Sequence, residues 1–232
     1  KYSLAYKECC KPVIGIDEAT DYCLLDYYGI SSLRHYEVCA VTLTGDSMQC
    51  LRSNGIMDWN LLRHPLIFPE LEVKELSTPY RQSPELVKLA HALYQNSMGR
   101  PAPYNCYLEE MHEAVPKPLW FESDDETRKA RWIVDRILEV KRSYGFVPSI
   151  AIFVNNQEEA KGLESAILDL DRLEEAGVKI ADCSGGDKMS TNDTVRIFPL
   201  NSVKGMEFEV VFFYNVDEIK EMVDRYLYVG LS

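Results

Sequence analysis

What most narrows the folds open to this chain is the regular alternation of short apolar runs with helical stripes through its second half. Ser149 to Val154 is an apolar run of strand length, and Val178 to Ala181, Val195 to Leu200 and Glu209 to Tyr214 repeat the pattern. Between the first two, Asn156 stands as a helix cap ahead of Ala160, Leu163, Ile167 and Leu170 at helical spacing. Upstream, Ser123 with Glu126 reads as a capping box, and Ala130, Ile133, Val134, Ile137 and Leu138 give a second helix its buried face until Gly145 ends it. Apolar strands that alternate with helices belong to parallel sheets covered on both faces. The expected fold class is therefore α/β.

The first half follows the same pattern. Val13-Ile14-Gly15-Ile16 reads as a buried strand that runs straight into Asp17-Glu18. A helix-like span from Tyr22 to Tyr36 leads to a second strand, Val38 to Thr44, which ends at Gly45-Asp46, so one strand–helix–strand unit should set the two acidic ends side by side. Leu71 to Leu76 is expected to be a further short strand. Ser83-Pro84 then starts a helix with Leu86, Leu89, Ala90 and Leu93 as its apolar stripe. Pro101, Pro103, Pro116 and Pro118 crowd the span from Gly99 to Pro118, which marks a crossing between two domains, expected at residues 1–100 and 119–232 with a linker over 101–118. Leu119-Trp120-Phe121 restarts the pattern as a strand-like run.

With 232 residues, 46% of them hydrophobic, the chain can build sizeable cores, and its apolar runs are far shorter than the roughly 20 residues that span a bilayer. No membrane partner is expected. The seven cysteines include no CxxC pair, and the four histidines lack metal-ligand spacing, so a reducing cytoplasm is the expected location. A net charge of −12 argues against a general nucleic-acid coat, yet leaves room for a narrow single-strand channel lined by stacking groups and a few cations. Lys1 at the start and the ordered-looking Tyr228-Val229-Gly230-Leu231-Ser232 at the end suggest a piece of a longer protein.

Paired carboxylates at the end of a parallel strand suit phosphate chemistry, because one can hold Mg²⁺ while its neighbour orients an attacking water. Asp17 fits the first role and Glu18 the second. The same pair would also suit a helix N-terminus, where acids complement the dipole, and the residues alone leave both readings open. Gln49 lies within loop reach of whatever the acids hold. Arg81, at the mouth between the Leu71–Leu76 run and the next helix, is placed like a phosphate contact.

In order, these pieces resemble the motor core of superfamily 1 helicases of the UvrD/Rep type. Asp17-Glu18-Ala19-Thr20-Asp21 is similar to that family's Walker B motif, and Gly45-Asp46-Ser47-Met48-Gln49 to its γ-phosphate-sensing motif. Tyr80-Arg81 resembles its Tyr-Arg pair. Lys204-Gly205-Met206-Glu207-Phe208 resembles the Lys-Gly-Leu-Glu-Phe motif of the second motor domain, and Arg225 to Ser232 resembles the last motif. The resemblance implies RecA-like parallel sheets of the P-loop NTPase type, ATP and Mg²⁺ as cofactors, and single-stranded DNA as partner. It implies catalytic roles for Glu18, Gln49 and Arg81, nucleotide contacts from Asp17, Gly45, Asp46, Gly205, Glu207 and Arg225, and strand contacts from Asn201, Lys204 and Arg52. The expected function is ATP-driven movement on DNA, in repair or a related pathway. The alternative is a helicase-like ATP switch that regulates a partner such as a nuclease, in repair or defence. Three departures bear on this. No Gly-x-x-x-x-Gly-Lys-[Ser/Thr] loop occurs, Pro199 and Asn201 replace the family's threonine and histidine, and Arg52 and Asn54 replace the aromatic pair that stacks on bases. Without that loop, the chain by itself is expected not to turn over ATP.

Overall fold

The structure is a computed structural model that describes residues 8–35, 37–67, 72–76, 79, 82–103, 116–185, 193–202, 204–219 and 222–231. Among the described residues, six strands form two sheets, and every pairing is parallel. Strands β1 (Val13–Ile16) and β2 (Ala40–Leu43) make the first, with Ile16 opposite Leu43. Strands β3 (Ile150–Val154), β4 (Lys179–Asp182), β5 (Thr194–Pro199) and β6 (Val210–Phe213) make the second, in the order β4-β5-β3-β6. The helices are α1 (Leu24–Ser31), α2 (Arg63–Leu66), α3 (Pro84–Met98), α4 (Glu126–Tyr144), α5 (Gln157–Leu168), α6 (Arg172–Glu175) and α7 (Val223–Leu231). This is an α/β architecture compatible with a RecA-like fold. Among the described residues, no helix is long and apolar enough to cross a membrane.

The second sheet is covered on both faces, as the unbroken apolar run of its inner strand β3 requires. Ile150, Ile152, Val154, Val195 and Ile197 point to one side, where Ala130, Ile133, Val134 and Ile137 of α4 and Ala160, Leu163 and Ile167 of α5 close over them. Ala151, Phe153 and Phe198 point to the other and meet Phe208, Tyr226 and Val229. Pro199 ends β5 at its pairing with Val154, a terminal position where the missing N–H is tolerated. Helix α7 crosses this face so closely that a Cβ on Gly230 would lie 2.4 Å from Cζ of Phe213. Its other flank reaches the first half, where Tyr228 packs with Met48, Ala90, Leu93 and Tyr94.

Several local expectations shift. Strand β1 is not buried: Val13 is 68% exposed, because β1 has one neighbouring strand and packs only Ile16 into the cluster of Ala19, Tyr27, Ile56, Leu62 and Leu66. Residues 72–76 form no strand, since no other segment among the described residues pairs with them, and Leu76 is solvent-exposed; residue 71 lies outside the described residues. Leu119-Trp120-Phe121 is likewise unpaired, and Phe121 stacks on Trp132 of α4 instead. The cap of α4 is Asp125, whose carboxylate accepts from the amides of Thr127 and Arg128; Ser123 accepts from Asp125 one turn earlier. On α3 the buried stripe is Val87, Ala90, Leu93 and Tyr94, rotated so that Leu89 faces outward. The caps at Ser83, Asn156 and Gly145 stand where the sequence puts them.

Candidate functional site

The site begins where β1 and β2 end together. Because Ile16 pairs with Leu43, the next residues, Asp17 and Thr44, are neighbours, and Thr44 Oγ1 donates to Asp17 Oδ1 at 2.5 Å. The Glu18 amide donates to the same oxygen at 3.0 Å. These bonds, Thr44's first, hold the Asp17 carboxyl below its ordinary value of 3.8. Glu18 itself takes a left-handed conformation, φ 50° and ψ 39°. For a residue with a Cβ this costs about 1–2 kcal/mol, and such strain gathers at functional sites. The chain then folds into a 3₁₀ turn, Ala19–Asp21, whose Thr20 is fully buried.

The second acidic loop closes over that turn. The Thr20 hydroxyl donates to the Asp46 carbonyl at 3.3 Å, and the Ile56 amide donates to the Thr20 carbonyl at 2.8 Å. Gly55 is needed here, since a Cβ would stand 2.5 Å from the Thr20 oxygen and 2.4 Å from Cys50 Sγ. Tyr27 from α1 donates to the Ala19 carbonyl at 2.5 Å, and burial pushes its phenol up to about 12. Asp46 caps the 3₁₀ turn Ser47–Gln49 through the Met48 amide with one carboxylate oxygen, and accepts the Tyr228 hydroxyl at 2.9 Å with the other.

Residues far along the chain complete the site. Beyond β5 a 3₁₀ turn, Leu200–Ser202, leads to Lys204, and Gly205 at φ 80° lets the backbone reverse directly after it. The Lys204 ammonium reaches Asp21 Oδ1 at 2.8 Å and Glu18 Oε2 at 3.0 Å. Burial works against the ammonium, but its bonds to Asp21 and Glu18 outweigh burial and hold its pKa above the ordinary lysine value. Arg225 of α7 is 6% exposed and donates to the carbonyls of Ser47 and Cys50 at 2.8 and 3.2 Å. Glu207, Asn201 and Arg52 are exposed, Gly45 lies between β2 and the Asp46 cap, and Gln49 is half-buried in the turn. Arg81 lies outside the described residues.

Among the described residues, no three His, Cys, Asp or Glu side chains converge as a closed metal cage. That suits Mg²⁺ only in its usual form, held by one or two carboxylates with waters and substrate phosphates completing the octahedron. Asp17 and Glu18 offer such a set.

The chain matches three curated proteins, each named ATP-dependent DNA helicase UvrD2, from Mycobacterium bovis and two strains of Mycobacterium tuberculosis. Each is 30% identical over 129 residues, which is 55% of this chain and 18% of the relative. The relatives are DNA helicases. No family model matches. The identity relates this chain to UvrD-like helicases, and the match spans less than a fifth of their length.

Thr44 and Asp21 carry more of the site than the motifs suggest. Thr44 was reachable from the sequence, because a parallel pair that aligns the two apolar runs also aligns the residues after them. Asp21 and Tyr228 were not, since each acts on a partner 182 or 183 residues away.

Proposed function

We propose that this chain carries the acid-pair end of one motor sheet, and a second RecA-like sheet, of an ATP-dependent DNA helicase or translocase of the UvrD/Rep type. The observation that carries the reading is the pairing of β1 with β2. It sets Asp17 beside Thr44 and brings the Asp46 loop over the turn that follows Glu18, in a chain related to UvrD2. The two motor domains would correspond to residues 1–100 and 119–232, joined through 101–118, in a cytoplasmic protein. The phosphate-binding loop would lie in the rest of the longer protein.

In this reading Asp17, kept ionised by Thr44, is the Mg²⁺ ligand, and Mg²⁺ when bound neutralises charge on the phosphates of ATP. Glu18 accepts the proton of the attacking water, and Gln49 and Arg81 orient and stabilise the γ-phosphate end. Gly45, Asp46, Gly205, Glu207 and Arg225 form the walls of the nucleotide cleft. Asn201 and Arg52, both exposed, face the single strand, and Lys204, the third strand contact of the family pattern, joins that surface to the acids through Glu18 and Asp21. A second reading, an ATP switch that regulates a nuclease or other partner without unwinding, draws on Arg52 and Asn54, both exposed where the family places stacking aromatics. Hydrolysis stimulated by single-stranded DNA but without strand separation would favour the switch.

The test is Glu18→Gln in the full-length protein. Hydrolysis should fall by about 10² to 10⁴ while ATP still binds, whereas Asp17→Asn should weaken Mg²⁺·ATP binding itself. Wild-type hydrolysis by Glu18→Gln would reduce the acid pair to a turn-capping feature and sink the proposal.

A further inference from the structure

The 3₁₀ turn Ser47–Gln49 is held from outside its own sheet. Helix α7 meets it with Arg225 and Tyr228, three residues apart and so on one face of the helix. Tyr228 takes the entry of the turn, its hydroxyl on Asp46. Arg225 takes the body: one guanidinium nitrogen donates to the Ser47 carbonyl at 2.8 Å and to the Cys50 carbonyl at 3.2 Å, the two oxygens that bracket Met48 and Gln49. Its other nitrogen lies 3.6 Å from Met98 Sδ at the end of α3. Within the bracket Met48 is fully buried, and half-buried Gln49 is the residue whose side chain still reaches solvent. Arginine suits this task, because its rigid fork fixes the angle between two acceptors, where a lysine ammonium would be a point charge on a flexible stem. On its other flank α7 is fixed to the second sheet, where Tyr226 and Val229 pack with Phe153 and Phe198 and the Gly230 backbone lies against Phe213.

We propose that Arg225 is a positioning residue for Gln49: it builds the cleft wall from behind, holding the carbonyls on either side of the glutamine, so that the second sheet, through α7, sets the direction of the Gln49 amide. This role rests on the nucleotide-site reading above and says how one of its groups is aimed. A guanidinium that is 6% exposed and committed to two carbonyls has little left to offer a phosphate. Its effect on hydrolysis must therefore pass through the residue it frames.

A double-mutant cycle in the full-length protein tests this. Arg225→Lys should lower kcat for ATP hydrolysis about 10- to 10²-fold, the scale of a misplacement of about 1 Å at a reacting centre, with KM for ATP changed by less than about threefold. Gln49→Ala should lower kcat at least as far, and adding Arg225→Lys to Gln49→Ala should lower it by no more than about twofold further. Two effects that multiply would overturn the proposal, and so would a raised KM at constant kcat, the mark of direct contact with the bound nucleotide. A fold merely loosened by Arg225→Lys would lose the same fraction of activity in both backgrounds, so instability cannot imitate the expected result. Amide exchange by mass spectrometry should rise about tenfold at residues 48–50 in Arg225→Lys, the scale of one lost hydrogen bond, with residues 157–168 unchanged. Unchanged exchange at residues 48–50 would overturn the proposal without any activity being measured. If the unsubstituted protein hydrolyses no ATP, the proposed function fails, and the exchange result still decides whether Arg225 holds the turn.

Discussion

Tyr228 offers the most direct measure of how firmly the two halves of the molecule are joined at the site. Its ring is 4% exposed beside Tyr94, and its hydroxyl donates to a carboxylate oxygen of Asp46 at 2.9 Å. Tyr228→Phe keeps the packing and deletes that bond. A hydrogen bond to a charged group contributes about 1.5–3 kcal/mol, and the loss leaves one Asp46 oxygen short of a donor in a partly buried place. For a chain of this size each kcal/mol shifts Tm by roughly 2–4 °C, so the variant should melt about 3–12 °C lower. Asp46→Asn supplies the control. It keeps the oxygen that caps the Met48 amide and places an amide where Tyr228 now finds a carboxylate, so its loss should be near 1 kcal/mol. Urea denaturation of both single variants and the double variant closes a cycle whose coupling energy should be at least about 1 kcal/mol. A coupling below roughly 0.3 kcal/mol, within the scatter of independent sites, would show that α7 does not anchor to the Asp46 loop.

Two further outcomes follow from the site. The Asp17 carboxyl is held low, so its bond to Thr44 favours the folded state above pH 3.8, and that contribution disappears as pH falls below 3.8 through the folded value. In Thr44→Val the Asp17 midpoint, followed by carboxyl ¹³C shifts, should move up toward 3.8, and acid unfolding should begin at higher pH; an unmoved midpoint would assign the effect to the Glu18 amide instead. Gly55→Ala should cost about 1–3 kcal/mol by overpacking against Cys50 Sγ and the Thr20 carbonyl, and it should raise amide exchange at Ile56, whose donor bond depends on that carbonyl. Wild-type stability in this variant would mean that the loop yields without disturbing the turn.

The parts legible in the sequence are those governed by short-range pattern. Ile150 to Val154 reads as a strand because all five residues are apolar in a run of strand length, and it needs no partner to be recognised. Ser83, Asn156 and Gly145 read as caps because the chemistry of a cap is local. Residues 72–76 look like a strand by the same signals, yet a strand exists only if another segment supplies hydrogen bonds, and none among the described residues does. Val13 misleads in the related way, since its apolar run is typical of a sheet interior while its position is at an edge. In the site, the Asp17–Thr44 contact follows from strand register. The grip of Lys204 on Asp21 does not, because its geometry is set by how the two sheets pack and no spacing in the sequence encodes that.

The span of these long contacts favours an order of assembly. Lys204 meets Asp21 across 183 residues, Tyr228 meets Asp46 across 182, and Arg225 meets Ser47 across 178. Closing a loop of that length costs on the order of 4–5 kcal/mol in chain entropy before any contact repays it, whereas β3 finds β5 through a loop about a quarter as long. The second sheet can therefore form while the acids of β1 are still open to water. During synthesis the turn at Asp17–Asp21 waits for Lys204, 183 residues further on, to follow it. Until α7 has followed, the two sheets are tied at the site by Lys204 alone among these contacts, and the anchors of Arg225 and Tyr228 on the Asp46 loop are missing.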